Sequence, residues 1–307
     1  QVQHFRVPAR PDTLTAPPRK LSLQGPASAP RPFIDLVRRP DGRLHYIPRS
    51  NESLVVEQDS GSSRTSIRVD EAKALALGRD ESLFVLDAGT NTIRQYDAQG
   101  ALVREFGKSL SEELDDPSDI ATVGKYVLVS EEGRGAIRVW TTEGVYQNEL
   151  EMRRGFSEPA ALAVADSQHV YVWDTDRNQI VQTQLGEGVT GRSGLRLRTD
   201  DVQENDGEIV GLEVDPLDQV HTYNADTYQY EIFSWNDNPT PLLRFGREGE
   251  GPFSFDDVTG FALDDQNFTA RPPGVVSGFP NMTPIFSRIW LMNAISAPLL
   301  LAAPAIF

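Results

Sequence analysis

Three carboxylates, Asp35, Asp119 and Glu213, stand in short apolar stretches at places where matching stretches elsewhere in the chain carry Ala or Gly. If those stretches are strands gathered about one axis, the three side chains converge there. Converging carboxylates repel one another, and a cation or a cationic ligand relieves the repulsion. Calcium takes several oxygen ligands and suits such a set. A hydrated acidic channel is the simpler outcome. Asp35, Asp119 and Glu213 are therefore both the candidate ligand-binding residues and the candidate metal ligands. Two further pairs, Asp87 with Asn91 and Asp174 with Asn178, share one spacing. Turn chemistry explains them better than metal binding does. A carboxylate ending one strand accepts backbone N–H groups from the turn that follows, and Asn tolerates left-handed backbone there. His45 and His221 fall at matching places on second strands, which predicts packing between sheets and not a three-histidine zinc site. The glycines of residues 246–251 lead into Pro252 and not into a helix, so no phosphate cradle is expected. No catalytic residue is assigned.

The elements that position these residues repeat. Six segments stack on the anchors Leu36, Leu75, Ile120, Leu162, Leu212 and Phe261, which are 39, 45, 42, 50 and 49 residues apart. Each is followed by a turn and a second strand, as in Leu83-Phe84-Val85-Leu86-Asp87 and Val170-Tyr171-Val172-Trp173-Asp174. A third strand follows a short polar turn, and a Gly-containing turn leads to a fourth. Four strands repeated at about 40–50 residues predict an all-β chain folded as a β-propeller of four-stranded blades. Six blades are expected, the last degenerate or incomplete. Ala74, Ala76, Ala121, Ala161, Ala163, Gly211, Gly260 and Ala262 form a column of small residues on the first strands, as crowding near an axis requires.

Composition bounds the rest. The chain has 307 residues and no cysteine, so disulfides, thiol nucleophiles and thiolate metal sites are excluded. The formal charge of -16 argues against nucleic acid and anionic membranes as partners. Among its 29 basic residues only four are Lys, a skew that points to a GC-rich bacterium. Residues 1–32 carry seven prolines and read as an extended arm or linker, able to wrap over the domain and close its last sheet. The propeller is placed at 33–267. Residues 268–307 hold Arg271 and Arg288 and no acidic residue. Three readings of this atypical apolar segment stand: a shifted frame, which the abrupt break favours, then a membrane anchor, then distorted outer strands of the last blade. An exported location, secreted or periplasmic, and a monomeric state are expected, with membrane attachment only through the C-terminal segment.

The stretch from Asp87 through Asn91, Ile93, Arg94, Tyr96, Asp97 and Gly100 to Phe106-Gly107 resembles an NHL-type repeat. Asp174 to Ile180 is similar, and Phe245-Gly246 to Pro252-Phe253 resembles the connector between NHL blades. Ser130 and Asn224 stand where the repeat has Asp, and Pro48 breaks the first repeat. The resemblance implies a six-bladed propeller whose usual task is to bind protein, peptide, glycan or nucleic acid on one face. With nucleic acid disfavoured by the charge, a non-catalytic propeller that binds a protein, peptide or glycan at the axial mouth is expected, with no cofactor unless calcium. The alternative it carries is a calcium-dependent hydrolase of the gluconolactonase-like propeller type. Fold does not choose between them.

Overall fold

The computed structural model of the chain describes residues 2–4, 20–21, 33–39, 43–49, 51–58, 64–109, 113–150, 155–165, 169–185, 191–198, 209–215, 218–234, 240–248, 258–264, 286–293 and 299–304. Every regular element among them is a β-strand. None is a helix long and apolar enough to cross a membrane.

Five four-stranded antiparallel sheets follow one another along the chain. Blade one is β3 (Phe33–Arg38), β4 (Leu44–Pro48), β5 (Leu54–Gln58) and β6 (Arg64–Arg68). Blade two is β7 (Ala72–Leu77), β8 (Leu83–Asp87), β9 (Thr92–Tyr96) and β10 (Leu102–Phe106). Blade three is β11 (Pro117–Val123), β12 (Tyr126–Glu131), β13 (Ala136–Thr141) and β14 (Tyr146–Glu149). Blade four is β15 (Pro159–Val164), β16 (His169–Asp174), β17 (Gln179–Leu185) and β18 (Gly191–Arg198). Blade five is β19 (Ile209–Val214), β20 (Gln219–Asn224), β21 (Gln229–Ser234) and β22 (Thr240–Phe245).

The sixth sheet runs β23 (Val258–Asp264), β24 (Phe286–Asn293), β25 (Leu299–Pro304), β1 (Val2–His4) and β2 (Lys20–Leu21). Strands β24 and β25, from the segment that leaves the repeat pattern, are antiparallel neighbours of β23. The N-terminal strand β1 lies parallel to β25. The six innermost strands, β3, β7, β11, β15, β19 and β23, each touch the next, and β23 touches β3, so the ring is closed. The chain is therefore a β-propeller of four-stranded blades, and each inner edge strand lies against the inner strand of the next blade.

The core lies between blades. On the face of blade two toward blade three, Ala74 and Ala76 sit beside Phe84, Leu86 and Ile93, and meet Ile120, Val127, Val129 and Trp140. Blade four meets blade five in the same way, with Ala163, Tyr171 and Trp173 against Leu212, Val220 and Phe233. At Ala74, Ala76, Ala121, Ala161 and Ala163 the small-residue column thus faces the following blade, not an open axis. Inner strands are closest together, so their facing side chains must be short, while Phe, Tyr and Trp fill the widening wedge farther out. Burying each such aromatic contributes about 1.5–3 kcal/mol.

One irregularity recurs in every blade. The pairing of first with second strand slips near the start of the inner strand: at 33/36, 72/74, 117/119, 159/161, 209/211 and 258/260. Such bulges re-aim the side chains beside them, and Asp35 and Asp119 sit at two of them.

The turn between second and third strands also repeats. Asn91, Gly135, Asn178 and Tyr228 all have positive φ, four residues after the end of the second strand. At Gly135 (φ 61°) an added Cβ would lie 2.9 Å from the Phe156 carbonyl oxygen and 3.1 Å from that of Ser157. Gly135→Ala is expected to destabilise by about 2 kcal/mol, combining left-handed strain with a backbone collision. Gly100→Ala, with φ 81° but open space around the new methyl, is expected to cost about half as much. Urea unfolding of the two variants tests the difference.

Candidate functional site

The inner strands of blades one to five enclose a channel of about 410 Å³ along the propeller axis, with Asp35, Asp119 and Glu213 among its lining residues. A smaller cavity of about 250 Å³ lies where the inner strands end, lined by Arg79, Thr122, Gly124, Ala165 and Asp215 among others.

Asp35 and Asp119 occupy equivalent positions in blades one and three and do the same thing. Asp35 Oδ1 accepts from the Leu36 N–H (2.7 Å), and Oδ2 from the Leu75 N–H in blade two (2.6 Å). Asp119 Oδ1 accepts from the Ile120 N–H (2.7 Å), and Oδ2 from the Leu162 N–H in blade four (2.8 Å). Each carboxylate is a clasp joining the inner strand of its own blade to the next. They stand in the small-residue column, and that column faces the following blade. The clasps recur at alternate blades. In blade five the equivalent residue is Gly211, which has no side chain to form one.

Burial raises both carboxyls. Asp35 is pushed from 3.8 up to about 6, chiefly by desolvation, against the lowering effect of its two N–H donors. Asp119 is pushed to about 7, by desolvation first and then by the charge of Asp35. Lys73 lowers Asp119 slightly. Glu213 lies two residues farther along its strand than the clasp position and stands apart from this pair; its charge acts on the buried Tyr230 hydroxyl.

The structure therefore pairs Asp35 with Asp119 and leaves Glu213 outside the pair. Among the described residues no group of three His, Asp or Glu side chains is arranged to hold a metal ion. The oxygens of Asp35 and Asp119 already serve backbone donors, so a cation there would compete with the clasps.

At the starts of the inner strands the mouth is acidic. Burial raises the Glu132 carboxyl; Lys73 opposes this, while Asp116 and Glu158 add to it. Lys73 Nζ lies 3.8 Å from Asp116. Ser118 Oγ donates to the Pro159 carbonyl of the next blade (2.8 Å). None of Asp116, Glu132 or Glu158 stood out in the sequence, because scattered charges beside turns carry no pattern, and Lys73 lies at the bulge of β7.

Asp87 and Asp174 are fully buried structural anchors. Asp87 accepts from the Asp70 (3.1 Å) and Glu71 (3.0 Å) N–H groups and pairs with Arg94 (3.0 Å). Asp174 accepts from Ser157 and Glu158, both at 3.2 Å, and pairs with Arg177 (3.2 Å). The donors belong to the loop that leads into the inner strand, 16 or 17 residues upstream, and not to the turn that follows. Asn91 and Asn178 supply that turn with left-handed backbone (φ 52° and 47°).

In blade three the register assigns this anchor position to Glu131, opposite Pro117, just as Asp87 lies opposite Ala72 and Asp174 opposite Pro159. Ser130, the residue the sequence pattern selects, instead bonds Ser118 (2.8 Å).

The histidines are structural too. His45 is buried and accepts from Arg39 Nε (2.7 Å). His221 is buried between Tyr230 (Nδ1 to OH, 2.6 Å) and Asp215 (Nε2 to Oδ2, 3.2 Å). His169 contacts Asp218 of the next blade through Nδ1 (2.6 Å), and Tyr171 donates to the same carboxylate (2.9 Å).

No protein-family model matches the chain, and no curated protein does. Among solved structures it is similar to a streptogramin B lyase, with TM-score 0.61 and 11% identity over 87% of this chain and 78% of that one. It is also similar to the virginiamycin B lyase of Staphylococcus aureus, with TM-score 0.58 and 11% identity over 93% and 88%. The hydrazine synthase of Kuenenia stuttgartiensis aligns with TM-score 0.53 and 14% identity over 93% and 99%. Likeness at such identity shows the fold alone, and that fold is the β-propeller.

Proposed function

We propose that this chain is a non-catalytic, NHL-like binding propeller that receives a cationic group of a protein or peptide partner at the acidic mouth of its channel. The observation that carries this reading is the placement of charge. Asp116, Glu132 and Glu158 meet at the starts of the inner strands with Lys73 as their nearby cation, above a channel lined by Asp35, Asp119 and Glu213. A mouth whose three carboxylates outnumber its one lysine, walled by low-dielectric blades, focuses a net negative field and draws in the opposite charge. The channel carboxylates shape that field. Asp35 and Asp119 are engaged by backbone donors, which suits them to electrostatics more than to acid–base chemistry. Two of the structural neighbours are lyases and the third is a synthase, but their likeness extends to the fold only.

Calorimetric titration with an oligolysine peptide tests this. Binding is expected at low salt, weakening as salt is raised, and falling at least about tenfold in Glu132→Lys. Indifference to that substitution and to salt overturns the proposal. A parallel titration with calcium, read by thermal unfolding with and without EDTA, tests the calcium-dependent hydrolase reading instead.

A further inference from the structure

We propose that Lys73 is a tethered place-holder in the acidic mouth, a cation of the chain's own that a cationic guest must displace, and that it thereby sets the affinity of the site. The inference rests on the binding reading above and deepens it. Lys73 is the residue skipped by the register between β7 and β8. A bulge re-aims the side chain beside it, and here that side chain joins the channel lining, where it is the one basic group among the described residues. Its counterparts at the bulges of blades three to six, Ser118, Ala160, Val210 and Thr259, carry no charge.

The bulge residue reaches the next blade. Ser118 Oγ donates to the Pro159 carbonyl at the start of β15 (2.8 Å), and Lys73 Nζ lies 3.8 Å from Asp116, just before β11. The Glu132 N–H donates to the Asp116 carbonyl (3.0 Å), which ties a second carboxylate-bearing residue to that point. Glu71, Asp116 and Glu158 each immediately precede an inner strand, in blades two, three and four. The mouth thus repeats a carboxylate from blade to blade, with Lys73 lodged beside Asp116. What Lys73 brings there is a primary ammonium on a flexible four-carbon stem. A guest lysine presents the same group and competes for the same place.

The contact yields readily. The Lys73 side chain is 38% exposed and that of Asp116 65%, and an exposed ion pair is weak and screened by salt. Lys73 can leave Asp116 without disturbing the strand ladder, since the bulge residue stands outside the pairing of β7 with β8. While in place it offsets one carboxylate and repels an incoming cation at short range, so the guest meets a weaker field than the carboxylates alone would give.

Calorimetric titration of an oligolysine peptide into the full chain is the test. At low salt Lys73→Met is expected to bind about three- to tenfold more tightly than wild type, and Lys73→Arg, which keeps the cation, within about twofold of it. Lys125→Met makes the same change of net charge at the other end of the inner strands, in the turn between β11 and β12, and is expected to leave the affinity unchanged. Equal affinity of wild type and Lys73→Met overturns the proposal while the binding reading stands. An equal gain in Lys125→Met also overturns it, because net charge alone then accounts for the effect. If neither wild type nor Lys73→Met binds the peptide, the binding reading falls and this inference with it. Lys73→Gln, polar and of similar length, decides in the same way if the Met variant does not fold.

Discussion

Asp87→Ala is expected to cost about 3–5 kcal/mol of folding free energy, because it strands a charge and two backbone donors at once. Asp87 is fully buried, its oxygens accept from Asp70 and Glu71, and Arg94 lies 3.0 Å away. With the carboxylate gone, the N–H groups that lead the chain into β7 lose their acceptors. Arg94 keeps Glu105, at 3.2 Å, so part of its charge stays compensated. Asp87→Asn should cost much less, since one acceptor oxygen survives. Blade five already carries Asn224 at this position, where its side chain accepts from Thr227 (2.8 Å). Guanidinium unfolding of the two variants is the measurement. An alanine variant within about 1 kcal/mol of wild type would mean the anchor is redundant with the strand ladders.

That prediction also shows what was legible in the sequence and what was not. The blades were legible because period-two apolar alternation and recurrent turns are local signals, and the anchors Leu75, Ile120 and Leu162 fall at one inner-strand position. The structural role of Asp87 and Asp174 could also be read, since a carboxylate ending a strand has few other tasks. Its partners could not be read. They lie 16 or 17 residues back, on the far side of a strand pairing, and only the register brings them together. The same limit applies to Asp35 and Asp119. The small-residue column located them, but crowding at an axis is equally satisfied by side chains aimed at the axis or at the next blade. The bulge at the start of each inner strand decides between these, and a bulge has no residue signature here: its unpaired residues are as varied as Lys73, Ser118, Ala160 and Val210. Glu213 looked equivalent by composition and is offset by one pleat. Residues 249–257 and 265–285 lie outside the described residues, so the proposed NHL connector is visible only through Glu248.

The misplaced anchor of blade three supplies the sharpest check on this register. Read by sequence pattern, Ser130 replaces the Asp of the repeat; read by strand pairing, Glu131 does. Glu131 is fully buried, accepts from the Asp115 N–H, and faces Arg134 at 3.0 Å and Arg138 at 3.5 Å. Burial raises its carboxyl despite both arginines, so the ionised form is held only by the partners it has. Arg138 in turn stacks over Trp140 and Tyr146, with its guanidinium carbon 5.1 Å and 4.6 Å from the ring centres. Arg138 follows Glu131 by seven residues, as Arg94 follows Asp87, and that shared spacing is the signal by which the sequence could have chosen correctly. Glu131→Ala is expected to lose about 3–5 kcal/mol, since it leaves a buried guanidinium without its carboxylate. Ser130→Ala removes one hydroxyl contact with Ser118 and is expected to lose about 1 kcal/mol. The double change Glu131→Ala with Arg138→Leu should recover part of the loss by removing the stranded cation. Denaturant unfolding of the three variants reads out the order. If Ser130→Ala proves the more costly of the single changes, the anchor of blade three is at Ser130, and the correspondence among Asp87, Glu131, Asp174 and Asn224 is off by one residue.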